Sequence, residues 1–195
     1  KASTRRKALD IAQKAVALAV DLGVRVIQVA GYDVFYESSN EDTWQRFEDG
    51  LERMLRWASQ AGVMLAMENV DQGKVDSVSR IMGYVERFDS PWFQVYPDIG
   101  NLAACGHDVV DELRMARGHL VGVHVKDTRL RTYRRIPFGE GIVPFDAAFR
   151  ELADMAFCGP FLVEMWADDA PDAMQVAAEA RSWVADRIDE AYSSD

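Results

Sequence analysis

Cysteine, basic charge and long apolar runs are all scarce in this chain, and each scarcity excludes something. Two cysteines in 195 residues, Cys105 and Cys158, cannot build a disulfide framework, and neither stands in a CxxC pair suited to zinc or redox chemistry. Both read as small buried apolar residues. No apolar run approaches the ~20 residues needed to span a bilayer, so no membrane partner is expected and a cytoplasmic protein fits. Lys and Arg number 22 against 32 Asp and Glu, and the net charge of -10 sets up a field that repels polyanions. Nucleic acid is therefore not an expected partner.

What is present is a globular composition. With 49% hydrophobic residues the chain can bury a substantial core, and it reads as a single domain over residues 1–195. Lys1 leads without an initiator Met or an apolar leader into the helical pattern of residues 2–22, so the expectation is a fragment whose N-terminal part is absent.

Five short apolar runs recur at similar spacing: Val24 to Ala30, Val63 to Glu68, Phe93 to Asp98, Val121 to Asp127 and Pro160 to Trp166. Near-continuous hydrophobicity over such lengths is the mark of strands covered on both faces in a parallel sheet. Helical periodicity marks the segments Thr4 to Leu22, Glu41 to Gln60, Val75 to Phe88, Val109 to Ala116, Phe145 to Met155 and Asp172 to Tyr192. Alternation of this kind leaves two architectures, a doubly wound sheet and an eight-stranded barrel. Polar residues at the strand ends favour the barrel, where reactive groups converge from the C-terminal ends of several strands.

Four of the five runs carry such a residue: Glu68, Asp98, His124 and Glu164. An isolated charge taken out of water costs several kcal/mol, so each needs a partner. Three carboxylates and one imidazole on successive strands are explained by a shared divalent cation, which neutralises the acids and takes a neutral imidazole nitrogen. The alternative is a set of salt bridges from Asp98 and Glu164 to Lys126 or Arg129, with His124 a hydrogen-bonded core residue. Oxygen-rich ligation with one His suits one Mn2+, Mg2+ or Zn2+ ion, which would act as a Lewis acid.

Six runs carry a family resemblance: Gln-Val-Ala-Gly-Tyr-Asp-Val at 28–34, Ser-Pro-Trp-Phe at 90–93, Tyr-Pro-Asp-Ile-Gly-Asn-Leu at 96–102, His-Val-Lys-Asp-Thr at 124–128, Pro-Phe-Gly-Glu-Gly at 137–141 and Val-Glu-Met-Trp at 163–166. Together they resemble the L-ribulose-5-phosphate 3-epimerases, also called L-xylulose-5-phosphate 3-epimerases or hexulose-6-phosphate isomerases, of the xylose-isomerase-like barrel superfamily. The resemblance implies a (β/α)8 TIM barrel in which strands four to eight are represented and strands one to three are missing. It implies metal ligation by Glu68, Asp98, His124 and Glu164, with Glu68 and Glu164 doubling as the catalytic acid-base pair for two-base proton transfer through an enediolate. The substrate class is then a small-molecule sugar phosphate, and a homodimer is the default assembly.

Two positions depart from the superfamily pattern. Asn101 stands where epimerases of free sugars carry His, as in the phosphopentulose branch, and in Glu68-Asn69-Val70-Asp71 an Asn follows the Glu where that branch has a branched apolar residue. The densest basic cluster, Lys126, Arg129, Arg131, Arg134 and Arg135, follows the His124 strand and offers donors for a phosphate. Lys126, Asn101, Arg135 and Glu140 are the expected substrate-binding residues, with Gln28 and Tyr32 placed to reach the pocket and Trp166 as an apolar wall. Competing readings are a carbonyl-shifting isomerase, an epimerase of unphosphorylated ketoses and a truncated non-catalytic remnant. An abasic-site endonuclease of the superfamily would need more His than three and a basic face for DNA.

Overall fold

The computed structural model describes residues 2–166 and 171–193. The chain opens with α1 (Ala2–Leu22), β1 (Val26–Ala30), α2 (Glu41–Gln60), β2 (Met64–Glu68), α3 (Val78–Phe88) and β3 (Phe93–Val95). It continues through α4 (Ile99–Cys105), α5 (Val109–Met115), β4 (Val123–Val125), β5 (Asp127–Arg129), β6 (Thr132–Ile136), α6 (Phe145–Asp154), β7 (Phe161–Val163) and α7 (Ala173–Tyr192).

Local chemistry sets several of these boundaries. Asn40 and Thr43 form a reciprocal capping box at the start of α2, each side-chain oxygen accepting the other's backbone N–H, and Glu41 and Asp42 place negative charge on its first turn. The Ser77 hydroxyl accepts the Arg80 N–H at 3.3 Å, so α3 starts three residues later than periodicity suggested.

Strands β1, β2 and β3 pair in parallel, β4 pairs in parallel with β7, and β5 and β6 form an antiparallel hairpin. Parallel bridges from Val95 to Leu120 and from Asp98 to His124 stitch the two parallel sheets together along the β3–β4 seam. The parallel strands therefore run β1-β2-β3-β4-β7 in chain order. A doubly wound sheet reverses its strand order at a switch point, whereas this order never reverses, so the winding is that of a barrel wall. Among the described residues β1 and β7 each have a single parallel neighbour.

Burial is densest in the middle of this wall. Leu65, Met67, Phe93, Val95, Val123 and Val125 are fully buried and meet Ile81, Ile99, Leu102, Leu113, Phe149 and Leu152 from the helices. Each such side chain contributes about 1.5–3 kcal/mol through removal from water. The terminal strands are less covered, and Leu162 of β7 is exposed.

Two expectations need correction. Cys158 is exposed and Cys105 half-buried; Cys158 lies in the turn between α6 and β7, where no second layer covers it. The run to Asp127 also does not continue as one strand: β4 ends at Val125, and Asp127 opens the hairpin. No described helix is long and apolar enough to cross a membrane.

Candidate metal centre

The C-terminal ends of β2, β3, β4 and β7 bring Glu68, Asp98, His124 and Glu164 together, with one ligand atom from each lying within 4.8 Å of all the others. Glu68 is the last residue of β2; one carboxylate oxygen lies 2.6 Å from His124 Nδ1 and the other accepts from Gln28 Nε2. Glu164 follows β7 and lies 3.3 Å from the same His124 nitrogen, so one imidazole edge serves both glutamates.

Asp98 is completely buried and caps α4, its Oδ1 accepting the Asn101 N–H at 2.9 Å. Asn69 holds the Asp98 backbone from both sides, accepting its N–H at 2.9 Å and donating to its carbonyl at 3.0 Å. The other carboxylate oxygen, Oδ2, lies 2.6 Å from Lys126 Nζ but off the line of a hydrogen bond, so it has a charge beside it and no aligned donor. Lys126 is buried, also pairs with Glu164 at 3.2 Å, and lies 5.5 Å from the centre of the Trp166 ring. Its stem crosses Gly100: a Cβ there would strike Lys126 Cγ and lie 2.7 Å from the Lys126 carbonyl oxygen.

The electrostatics follow from this packing. Burial pushes the Asp98 carboxyl up to about 7 against the pull of Lys126. Burial alone would raise Glu164 as well, but hydrogen bonding to His124 and the nearby Lys126 ammonium reverse this and hold it at about 2. For His124, burial works downward and is outweighed by the hydrogen bonds to Glu164 and Glu68, which lift the imidazole to about 9. For Lys126, burial likewise works downward, and Asp98 and Glu164 override it to raise the ammonium.

Three carboxylates and an imidazole converging at this distance match the donor set of a hard or borderline divalent cation. The fully buried Asp98 Oδ2 without an aligned donor is the kind of oxygen such an ion would take up. The expected substrate-binding residues divide. Lys126 and Asn101 line a cavity of about 90 Å3 over the centre, together with Tyr32, Glu68, Asp71, Tyr133, Arg134 and Glu164, and Asn101 Oδ1 is buried there without a partner. Arg135 instead lines a neighbouring cavity of about 350 Å3 with Glu164, Trp166, Phe138 and Trp183. Glu140 is exposed, pairs with Arg129 at 3.6 Å, and lines neither cavity.

Residues not picked out beforehand complete the site. Asn69 fixes Asp98, and its only signal is its place directly after a ligand. Asp127, buried at the start of the hairpin, accepts the N–H groups of Gly139 at 2.9 Å and Gly141 at 2.8 Å with one oxygen and that of Thr128 at 2.9 Å with the other. It thereby fastens the Pro137–Gly141 turn, and Gly141 packs so closely that a Cβ would strike the Asp127 carboxylate and the Thr128 carbonyl.

Comparison with known proteins agrees with this fold. A family model described as xylose isomerase-like TIM barrel matches residues 1–187. The L-ribulose-5-phosphate 3-epimerases UlaE of Escherichia coli O1:K1 / APEC and of Escherichia fergusonii are each 47% identical over 186 residues, covering 95% of this chain. The chain spans 66% of the length of these relatives. A solved L-ribulose 3-epimerase superposes with a TM-score of 0.79 at 22% identity, over 94% of this chain and 67% of that one. A D-psicose 3-epimerase from Clostridium cellulolyticum H10, solved with D-tagatose, gives 0.80 at 16% identity, over 94% and 71%. At such identities the structures speak to the fold alone.

Proposed function

The chain belongs to the xylose isomerase-like TIM barrel family, and from that membership we propose that it is part of a metal-dependent 3-epimerase interconverting L-ribulose 5-phosphate and L-xylulose 5-phosphate. The observation that carries the reading is the pair Glu68 and Glu164, both tied to one His124 nitrogen in a centre that also holds Asp98. Epimerisation at C3 of a 2-ketose takes a proton from one face of the carbon and returns one to the other, so it needs two bases. Each glutamate has its own orienting partner besides His124: Gln28 holds Glu68, and Lys126 holds Glu164.

One Mn2+, Mg2+ or Zn2+ ion held by Glu68, Asp98, His124 and Glu164 would supply Lewis-acid polarisation of the ketose oxygens. Lys126 and Asn101 supply a cation and a carbonyl acceptor for the sugar in the smaller cavity, and Arg135 a guanidinium at the larger. Glu140 is not retained in that set, because it turns outward to Arg129. We further propose that the chain is the C-terminal portion of an eight-stranded barrel, strands four to eight. Five parallel strands in chain order and a span of 66% of the UlaE relatives' length support this.

The test is incubation of L-ribulose 5-phosphate in deuterated water with the full-length protein, with Mn2+, Mg2+ or Zn2+ added and after chelation, following C3 by NMR. Metal-dependent deuterium uptake at C3 with formation of L-xylulose 5-phosphate is the expected result, abolished in Glu68→Gln and Glu164→Gln. No exchange with any of the three ions, in protein shown to be folded, refutes the phosphopentulose assignment.

A further inference from the structure

At the mouth of the smaller cavity, three separated segments meet at one carboxylate. Asp71, in the loop after β2, is largely buried, and its two oxygens accept the phenols of Tyr32 and Tyr36, the latter at 2.5 Å. Both tyrosines belong to the 31–39 loop after β1. Arg134, from β6, donates to the Tyr36 hydroxyl at 2.9 Å and stands 4.0 Å from Asp71. Its guanidinium also lies 5.9 Å from the Tyr36 ring and 5.6 Å from the ring of Trp166, beyond β7. Tyr32, Asp71 and Arg134 line the cavity that Glu68 and Glu164 close from below.

We propose that Asp71 is a positioning residue that fastens the 31–39 loop across this mouth and, through Tyr36, sets the Arg134 guanidinium over the proposed active site. Among the described residues Asp71 makes no hydrogen bond to the four candidate ligands, and its partners are the two phenols and Arg134. A carboxylate satisfied by two neutral O–H donors anchors the loop while leaving the phenols protonated. Burial, with Asp71 adding to it, moves the Tyr32 phenol far above its ordinary value, so the bond persists at working pH. Tyr36 holds a left-handed backbone at φ 53°, which a residue with a side chain adopts only when its surroundings enforce it. The Phe35 ring, exposed, is wedged edge-on against both tyrosines and completes the loop's own packing.

The assignment rests on the functional reading above, so its test carries readouts that do not depend on the sugar. Asp71→Ala and Tyr36→Phe would be compared with the parent protein in limited proteolysis mapped to residues 31–39, in Mn2+ affinity, and in KM and kcat for L-ribulose 5-phosphate. For Asp71→Ala we expect cleavage within 31–39 and KM each to rise by about tenfold or more, the scale of one hydrogen bond to a charged group. Mn2+ affinity and kcat should stay within about threefold, since the loss lies in the mouth and not in the ligands. Tyr36→Phe should move the same two quantities in the same direction by a smaller factor, because Tyr32 keeps its bond. Unchanged cleavage and KM in Asp71→Ala overturn the proposal, as does a joint fall of kcat and Mn2+ affinity, which would place Asp71 in the metal centre itself. If Asp71→Ala is cleaved throughout the chain, Tyr36→Phe decides, and wild-type cleavage and KM in that variant overturn it. A parent protein that turns over no sugar phosphate refutes the functional reading, while the cleavage data still decide whether Asp71 holds the loop.

Discussion

Replacing Lys126 by Met isolates the charge from the packing. Met has about the length of the Lys stem, so it can still cross Gly100 and rest against Trp166, but it removes the ammonium 2.6 Å from Asp98 and 3.2 Å from Glu164. The side chains of Lys126 and Asp98 are 6% and 0% exposed, so water cannot replace the lost partner. Removing one member of a buried ion pair costs about 3–5 kcal/mol. In a domain of this size each kcal/mol moves Tm by about 2–4 °C, so Lys126→Met should melt about 6–20 °C lower. The assay is thermal unfolding by circular dichroism with chelator present, so that no cation stands in for the ammonium.

Two controls bear on the cause. Asp98→Asn added to Lys126→Met should recover about half of the loss or more, since a neutral amide needs no counter-charge. The carboxyl already sits at about 7 with Lys126 beside it, and removing the cation raises it further. Below about 7 both proteins carry Asp98 protonated, so the penalty should fade there, grow as pH rises through 7, and reach its full size only above the variant's raised value. A Lys126→Met protein melting within about 2 °C of the parent across that whole rise would refute the argument that this pair is a buried, mutually dependent charge couple.

Saturation with a divalent cation at about 100 times its Kd should stabilise the chelated protein by about 2.7 kcal/mol, read as a rise of about 5–11 °C in Tm. Asp98→Asn should abolish most of that rise, and an unchanged rise would remove Asp98 from the ligand set. Gly141→Ala forces a Cβ onto the Asp127 carboxylate and the Thr128 carbonyl. Overpacking of this kind costs about 1–3 kcal/mol, and urea unfolding should show it as a lower midpoint with unchanged slope.

The parallel strands and the four convergent ligands were legible because both leave a one-dimensional mark, an apolar run that ends in an ionisable residue. Other parts leave no such mark. Helix α4 is buried on every side from Ile99 to Ala104, so it has no polar stripe to betray a helical period. The β5–β6 hairpin is built from a basic stretch without hydrophobic alternation, so no periodicity marks it as a pair of strands. Arg134 and Arg135 are neighbours in β6, yet Arg134 reaches the smaller cavity and Arg135 the larger. In Phe-Gly-Glu-Gly the sequence points to Glu140 as a substrate-binding residue, whereas the glycines around it are what Asp127 grips.

The β3–β4 seam has a mechanical meaning. Two parallel sheets meet there through a pair of isolated bridges, and the four candidate ligands are shared evenly across it: Glu68 and Asp98 arrive from the β1-β2-β3 side, His124 and Glu164 from the β4-β7 side. Each side contributes two of the four candidate ligands, so an ion bound by all of them would tie the two halves of the wall together like a rivet.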